Sequence, residues 1–158
     1  MDLDTTIVAV SSPRGNSSRA LLRVTGNNVI ESIKLLGIVP KTRQLVTCHL
    51  DLPEGSLPAL CLSFPASSSY TGQDTVEISI PNNQFLISSV LQRLAEVTGG
   101  RLAQAGEFTA RAFFNGRMTL SEAEGVCASI SANNDGELRG AALLRKGTLN
   151  GLVSPLSE

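Results

Sequence analysis

The first half of the chain carries short apolar stretches separated by clusters of turn-forming residues. Residues 6–10, 20–25, 45–50 and 60–64 are such stretches, and Gly, Pro, Ser, Asn and Asp lie between them. This arrangement is typical of strands joined by turns. Residues 74–80 alternate most regularly, with Val76, Ile78 and Ile80 on one face and Glu77 on the other. Residues 101–105 are predicted to form a returning strand.

Helical spacing interrupts these strands at three places. Apolar residues from Ile87 to Leu94 recur every three or four positions, and Gly99-Gly100 ends the predicted helix. A shorter helix is predicted before Gly37, and it would contain residues 29–36. Another begins at Gly106-Glu107-Phe108 and ends at Asn115-Gly116, with Phe108, Ala112 and Phe113 expected to face inward.

Beyond residue 118 the pattern is helical only. Ser121 and Glu124 have the spacing of a capping box, and an apolar stripe follows through Ala123, Val126, Cys127 and Ile130. A last helix is predicted over residues 137–152, and residues 154–158 resemble a frayed or truncated end. We therefore predict an α+β domain over residues 1–118, with a mixed β-sheet and flanking helices. Residues 119–158 would be the first helices of a truncated helical domain.

Composition narrows the class of protein. The chain has 158 residues and a formal charge of −1, whereas a free-standing nucleic-acid binder usually has a basic excess. No apolar run approaches the roughly 18 residues of a membrane span. Cys48, Cys61 and Cys127 have no metal-ligand spacing, and His49 is the lone histidine. We expect a soluble, reduced, cytoplasmic protein without a metal site, in which His49 is structural.

Familiar catalytic motifs are missing from the sequence. It has no Gly-x-x-x-x-Gly-Lys-Ser/Thr loop, so no GTP site of that kind is expected. It has no dinucleotide fingerprint and no nucleophile elbow, and one histidine leaves little basis for a catalytic triad. No catalytic residue is assigned.

Three charged residues stand where charge is unexpected: Arg23 and Glu77 within strands, and Arg117 directly after Asn115-Gly116. They could be ordinary solvated residues. Alternatively, they could line a pocket for a flat heterocycle with an acidic tail. A carboxylate accepts from an aminopyrimidinone edge, and guanidiniums bind carbonyls and carboxylates. The residues alone do not decide between solvated surface residues and a ligand pocket.

Three blocks of sequence, within roughly residues 4–135, resemble a known family. They are residues 6–26, residues 64–78 (with Ser69-Tyr70-Thr71-Gly72-Gln73-Asp74) and residues 105–124 (with Gly106-Glu107-Phe108-Thr109). In this order and spacing, they resemble the tRNA-modification GTPase family called MnmE or TrmE.

The resemblance implies an N-terminal domain that binds 5-formyltetrahydrofolate, similar in fold to a tetrahydrofolate-binding aminomethyltransferase domain. Family folate contacts map onto Arg23, Glu77 and Arg117. The resemblance also implies a homodimer through this domain and a flavoprotein partner in the modification of the tRNA wobble uridine, with the folate as one-carbon donor. Contact with tRNA is expected only through other domains, and no membrane is expected to be involved.

The sequence departs from the family pattern at several positions. Pro81-Asn82-Asn83 stands for His-Gly-Gly, and residues 16–20 stand for a glycine-rich stretch. Gln73 replaces Glu, Ala105 replaces Pro, and Arg117 replaces the usual Lys. The family's GTPase domain is not in this sequence. An alternative is therefore a divergent structural dimerisation module that has lost folate binding.

Overall fold

The computed structural model describes residues 2–13 and 15–146. Their contacts divide the chain into a first unit, residues 1–104, and a second unit that begins at Ala105. We call these the sheet unit and the helical unit. The predicted boundary after residue 118 stays a prediction. Residues 147–152 of the last predicted helix and the predicted frayed end at residues 154–158 lie outside the described residues.

The sheet unit contains one six-stranded sheet in the order β3-β4-β5-β2-β1-β6. Its strands are β1 Ile7–Val10, β2 Arg19–Thr25, β3 Val46–Leu52, β4 Gly55–Phe64, β5 Thr75–Pro81 and β6 Arg101–Leu102. The pairs are antiparallel except β1 with β6, which is parallel. The predicted strand over residues 101–105 is shorter than expected, because only Arg101 and Leu102 pair with β1.

One face of the sheet forms the hydrophobic core. Alternation along β2 and β5 buries Leu22, Val24, Ile78 and Ile80 completely. They pack into one cluster with residues of the neighbouring helices, including Leu94. Burial of this aliphatic surface is the main force that holds the sheet unit together. The opposite face carries the residues that alternate with these.

Two helical segments cover the core face. Helix α1, Val29–Ser32, continues as a 3₁₀ helix over Ile33–Leu36 and ends at Gly37 in the left-handed conformation, φ 76°. Helix α2, Gln84–Thr98, begins at Asn83, whose side chain accepts hydrogen bonds from the backbone of Phe85 and Leu86. It ends at Gly99, as the sequence predicts.

The helical unit contains α3 Glu107–Phe114, α4 Leu120–Ser131 and α5 Asp135–Arg145. The capping box of α4 is formed by Thr119 and Glu122, so the prediction of Ser121 and Glu124 was wrong. Helix α5 passes close to α4 at Gly125, where an added Cβ would lie 2.6 Å from the backbone nitrogen of Arg145.

Helix α3 buries different residues from those expected. Its buried positions are Glu107, Thr109, Arg111 and Ala112, whereas Phe108 and Phe113 are only half-buried. Of the residues predicted to face inward, Ala112 alone is fully buried.

The predicted α+β class, with a mixed sheet and flanking helices, is confirmed. Within the described part of the chain, no helix combines the length and apolar character that a membrane crossing requires.

Candidate functional site

Arg23 and Glu77 form an ion pair on the face of the sheet opposite the core. They stand directly opposite each other in the register of β2 and β5. The Nε and Nη2 atoms of Arg23 donate to the same oxygen, Oε1 of Glu77, at 2.9 and 2.6 Å. Their side chains are 28% and 19% exposed. The structure thus brings together two of the three predicted site residues.

The second oxygen of Glu77 matters more for function than the first. Among the described residues, no group donates a hydrogen bond to Oε2 of Glu77. A carboxylate has about four acceptor positions on its two oxygens. Arg23 occupies positions on one oxygen and holds the carboxylate in place. The other oxygen is therefore available to a donor from outside the unit.

Half-buried apolar residues surround this pair. In the register of the sheet, Leu62 of β4 lies next to Glu77 and Ala9 of β1 lies next to Arg23. Leu21 is two positions from Arg23 on β2, and Leu21, Leu62 and Ala9 are all half-buried. A charged pair among apolar groups suits a flat ligand that presents both a polar edge and an aromatic face.

Arg117 lies in the helical unit. Its backbone N–H donates to the carbonyl of Ala112 at 2.8 Å, beside Gly116 in the left-handed conformation at φ 67°. This contact closes the end of α3 in the manner of a glycine C-cap, and it leaves the Arg117 residue exposed. The structure places Arg117 on a sharply defined turn, in a different unit from Arg23 and Glu77.

The segment before Glu77 is held by a buried cluster of hydroxyl groups. Thr25 Oγ1 lies 2.6 Å from Thr71 Oγ1 and 2.9 Å from Thr75 Oγ1, and all three residues are buried. Gln73 Nε2 donates to the Leu3 carbonyl at 2.8 Å. A carboxylate could not make that contact as a donor, so Gln73, where the family pattern has Glu, fits its surroundings here.

Two further departures from the family pattern, residues 81–83 and residues 16–20, contact each other. Asn82 Nδ2 donates to the carbonyls of Gly15 and Ser17 at 3.1 and 2.9 Å, and it lies 3.3 Å from Ser17 Oγ. The backbone N–H of Asn82 donates to the Ser18 carbonyl at 3.0 Å. The loop before β2 is thereby tied to the start of α2, and this coupling is not visible in the sequence.

The cysteines and the histidine offer no second site. Burial raises the pKa of the Cys61 thiol from 9.0 to about 12, with a further contribution from Cys48. Burial also raises the pKa of Cys48. Both sulfurs therefore stay protonated and unreactive near neutral pH. His49 is exposed on β3, and the described residues contain no group of three side chains suited to a metal ion.

Sequence reasoning missed a second ion pair, which lies within α3. Arg111 Nη2 donates to Glu107 Oε1 at 3.2 Å, and the two side chains are 0% and 1% exposed. The i, i+4 spacing of Glu and Arg was the available signal. Such spacing usually marks a solvated helix face, so it does not by itself predict burial. Because the pair is inaccessible, we regard it as structural.

Comparison with known proteins identifies the relatives of this chain. The model of a family described as "GTP-binding protein TrmE N-terminus" matches residues 6–117. The chain is 40% identical over 152 residues to the tRNA modification GTPase MnmE of Opitutus terrae, which covers 93% of this chain and 33% of that protein.

Two further relatives show similar matches. The tRNA modification GTPase MnmE of Anaplasma marginale is 35% identical over 151 residues, covering 93% of this chain and 34% of that protein. The human mitochondrial 5-taurinomethyluridine-tRNA synthase subunit GTPB3 is 37% identical over 159 residues. This match covers 97% of this chain and 32% of that protein. The chain thus spans about a third of the length of these relatives.

Proposed function

This chain belongs to the TrmE family, as the N-terminal part of it, and from that premise we propose that it binds a reduced folate and forms a homodimer. The folate would be 5-formyltetrahydrofolate, which carries a one-carbon unit. The chain would supply this cofactor to the modification of a tRNA wobble uridine.

One observation carries the folate proposal: Glu77 is a half-buried carboxylate that Arg23 holds through one oxygen only. The pterin ring of a folate presents an amino group and a ring N–H side by side. A carboxylate accepts from such an edge with good geometry, because its lone pairs point in the same directions. Glu77 Oε2 is placed to receive such a donor, and Arg23 is suited to a pterin carbonyl.

The surroundings of the pair support the same ligand. Leu21 and Leu62 offer apolar surface on which an aromatic ring can lie. Arg117 would supply a further cation for the carbonyl or carboxylate groups of the ligand. Arg in place of Lys at this position keeps the charge and adds a planar, forked donor.

The homodimer is proposed through the same sheet face. Leu21, Leu60 and Leu62 are half-buried on this face, around a central ion pair. An apolar surface that contains a few well-held polar groups is typical of an interface core. A partner subunit on this face would enclose the folate and strengthen its hydrogen bonds by excluding water.

The remaining functions are proposed for other parts of a complete protein. The relatives named as tRNA modification GTPases are about three times as long as the match. We place GTP binding, contact with tRNA and contact with a flavoprotein partner in those other parts. The near-neutral charge of this chain agrees with that assignment, because phosphate recognition relies on Lys and Arg. We expect the protein in the cytoplasm.

A second candidate function is a structural dimerisation module without folate. The contacts of Asn82 with Gly15 and Ser17 favour it, because they fill with protein hydrogen bonds a region where the family pattern has glycines. Glycine lets a backbone approach a ligand closely. In this chain, side chains occupy that space.

Glu77→Gln separates the two candidates. The amide keeps the shape of the carboxylate but loses the charge and one acceptor pair. If the chain binds folate, we expect at least about a tenfold loss of affinity for 5-formyltetrahydrofolate in calorimetric titration, with little change in melting temperature. Glu96→Gln is the matched control, since Glu96 pairs with Arg93 on the exposed face of α2, and its affinity should equal that of the unmodified chain. A folded dimer that shows no binding heat at all supports the structural module instead.

A further inference from the structure

Arg19 is a third guanidinium on the sheet face that carries Arg23 and Glu77. It begins β2 and alternates with the buried Ala20 and Leu22, so it shares a face with Leu21 and Arg23. The Cα atoms of Arg19 and Arg23 are about 13 Å apart, from the rise of a β-strand. Leu21 lies between them and is half-buried, whereas Arg19 is exposed. The guanidinium of Arg19 bonds to Ser79, which is opposite Leu21 in the register, so an exposed cation lies beside the apolar surface of Leu21.

The guanidinium of Arg19 is held in position by Ser79. Its Nε donates to Ser79 Oγ at 2.9 Å and its Nη2 donates to the Ser79 carbonyl at 2.5 Å. Ser79 is two residues from Glu77 on β5, so the guanidinium is drawn back along the sheet toward the Glu77 site. Among the described residues, no carboxylate forms a salt bridge with Arg19.

A cation held by neutral partners keeps its full charge for an external anion. Arg19 has five N–H donors, and its contacts with Ser79 use two of them. The other donors can bind a carboxylate, which matches the planar guanidinium fork. A lysine would offer no such fixed geometry.

We propose that Arg19 binds the terminal carboxylate of the ligand whose heterocycle Glu77 and Arg23 recognise. This inference rests on the proposed function. It adds the Arg19 guanidinium as the group that recognises the carboxylate-bearing tail of the folate. The ligand would cross this sheet face past Leu21, with its pterin edge at Glu77 and the carboxylate of its tail at the Arg19 guanidinium beside Ser79. Arg19 thereby selects folates over pterins that lack glutamate.

The test compares two ligands and several variants of the full chain by calorimetric titration. The ligands are 5-formyltetrahydrofolate and 5-formyl-6-methyltetrahydropterin, which lacks the benzoylglutamate tail and therefore has no carboxylate. Arg19→Gln should weaken the folate by about tenfold, which is typical of a lost charge-assisted contact, and should leave the affinity for the tail-less pterin within about twofold. Arg19→Lys should recover part of the loss. Lys41→Gln, which removes an exposed cation elsewhere in the sheet unit, should change neither affinity.

The outcomes separate this inference from the proposed function. If Arg19→Gln weakens both ligands equally, or weakens neither, Arg19 does not recognise the tail and the inference is overturned, while folate binding stands. If the unmodified chain binds neither ligand, both the inference and the folate proposal are overturned. Loss confined to the glutamate-bearing ligand supports both.

Discussion

In the sheet unit the fully buried side chains are mainly aliphatic, such as Leu22 and Ile78, whereas the largest buried side chains described in the helical unit are Arg111 and Glu107. Large apolar side chains are exposed in both units, among them Val39 and Phe85 of the sheet unit. Ile130, Leu138 and Leu143 of the helical unit are 81%, 51% and 55% exposed. The sheet unit keeps its central ion pair at a partly open surface.

This difference assigns different roles to the two ion pairs. A buried pair loses the hydration of both charges, so each partner depends on the other and on further hydrogen bonds. A pair that water reaches in part keeps some of that hydration and depends less on its partner. Arg23 and Glu77 can therefore exchange partners with a ligand at low cost, whereas Arg111 and Glu107 cannot. Both pairs consist of one arginine and one glutamate. We assign the buried pair of Arg111 and Glu107 to stability, and the partly exposed pair of Arg23 and Glu77 to ligand recognition.

The sharpest test of this comparison is to break the buried pair. Arg111→Leu leaves the Glu107 carboxylate buried without its cation, and we expect a loss of about 3–5 kcal/mol in the free energy of unfolding. Urea unfolding followed by circular dichroism measures it. Arg93→Leu removes the cation of an exposed pair on α2 and should cost less than about 1 kcal/mol. Equal losses in the two variants would remove the distinction between the pairs.

The second test compares the buried thiol of Cys61 in the sheet unit with the exposed thiol of Cys127 in the helical unit. The pKa of Cys61 is raised to about 12, so the folded state keeps a proton that the unfolded chain releases above its ordinary pKa of 9.0. Stability should therefore fall as the pH rises from 9 toward 12, by about 2 kcal/mol near pH 10.5 from this group.

Cys61→Ala should show a weaker alkaline decline than the unmodified chain in unfolding experiments at several pH values. Cys127 is exposed, and Cys127→Ala serves as the control that should keep the full decline. Parallel pH profiles for the unmodified chain and Cys61→Ala would show that burial does not protect the Cys61 proton.

The smallest expected effect concerns the local contacts that hold the helical unit. Thr119→Ala removes the side-chain cap of α4 and should cost about 1 kcal/mol. Ser121→Ala, one residue inside the helix, should change stability by less than about 0.5 kcal/mol. Hydrogen bonds from Thr119 lower the pKa of Glu122, so the contribution of the capping box is present above the ordinary carboxyl range and is lost as the pH falls. An equal cost for both variants, measured by thermal unfolding, would contradict the cap assignment.

The sheet unit was the more predictable part of the molecule. Period-2 alternation in residues 74–80 identified both the strand and the face that carries Glu77, because one face is buried and the other is not. Arg23 and Glu77 were both candidates from the sequence. Their pairing was not predictable, because it depends on the register between two strands that are far apart in the chain.

The helical unit was less predictable because α3 buries two charged side chains, Glu107 and Arg111, where apolar residues are usually found. The pattern of α3 predicts that Phe108, Ala112 and Phe113 face inward, but only Ala112 is fully buried and the two phenylalanines are half-buried. Burial of Glu107 and Arg111 depends on contacts made in three dimensions, which periodicity alone does not report. The residues of the capping box were predicted wrongly for a simpler reason. Thr119 and Glu122 have the same spacing as Ser121 and Glu124 and lie two residues earlier.

The position of β6 has a consequence for how the chain folds during synthesis. β1 is made first, yet one of its edges is completed by Arg101 and Leu102, whose parallel pairing requires α2 to have crossed the sheet. The antiparallel pairs β3–β4 and β4–β5 join nearer segments and can form earlier. On the ribosome, the edge of β1 should therefore stay open until residues beyond 102 have emerged, and until then it can pair with other chains.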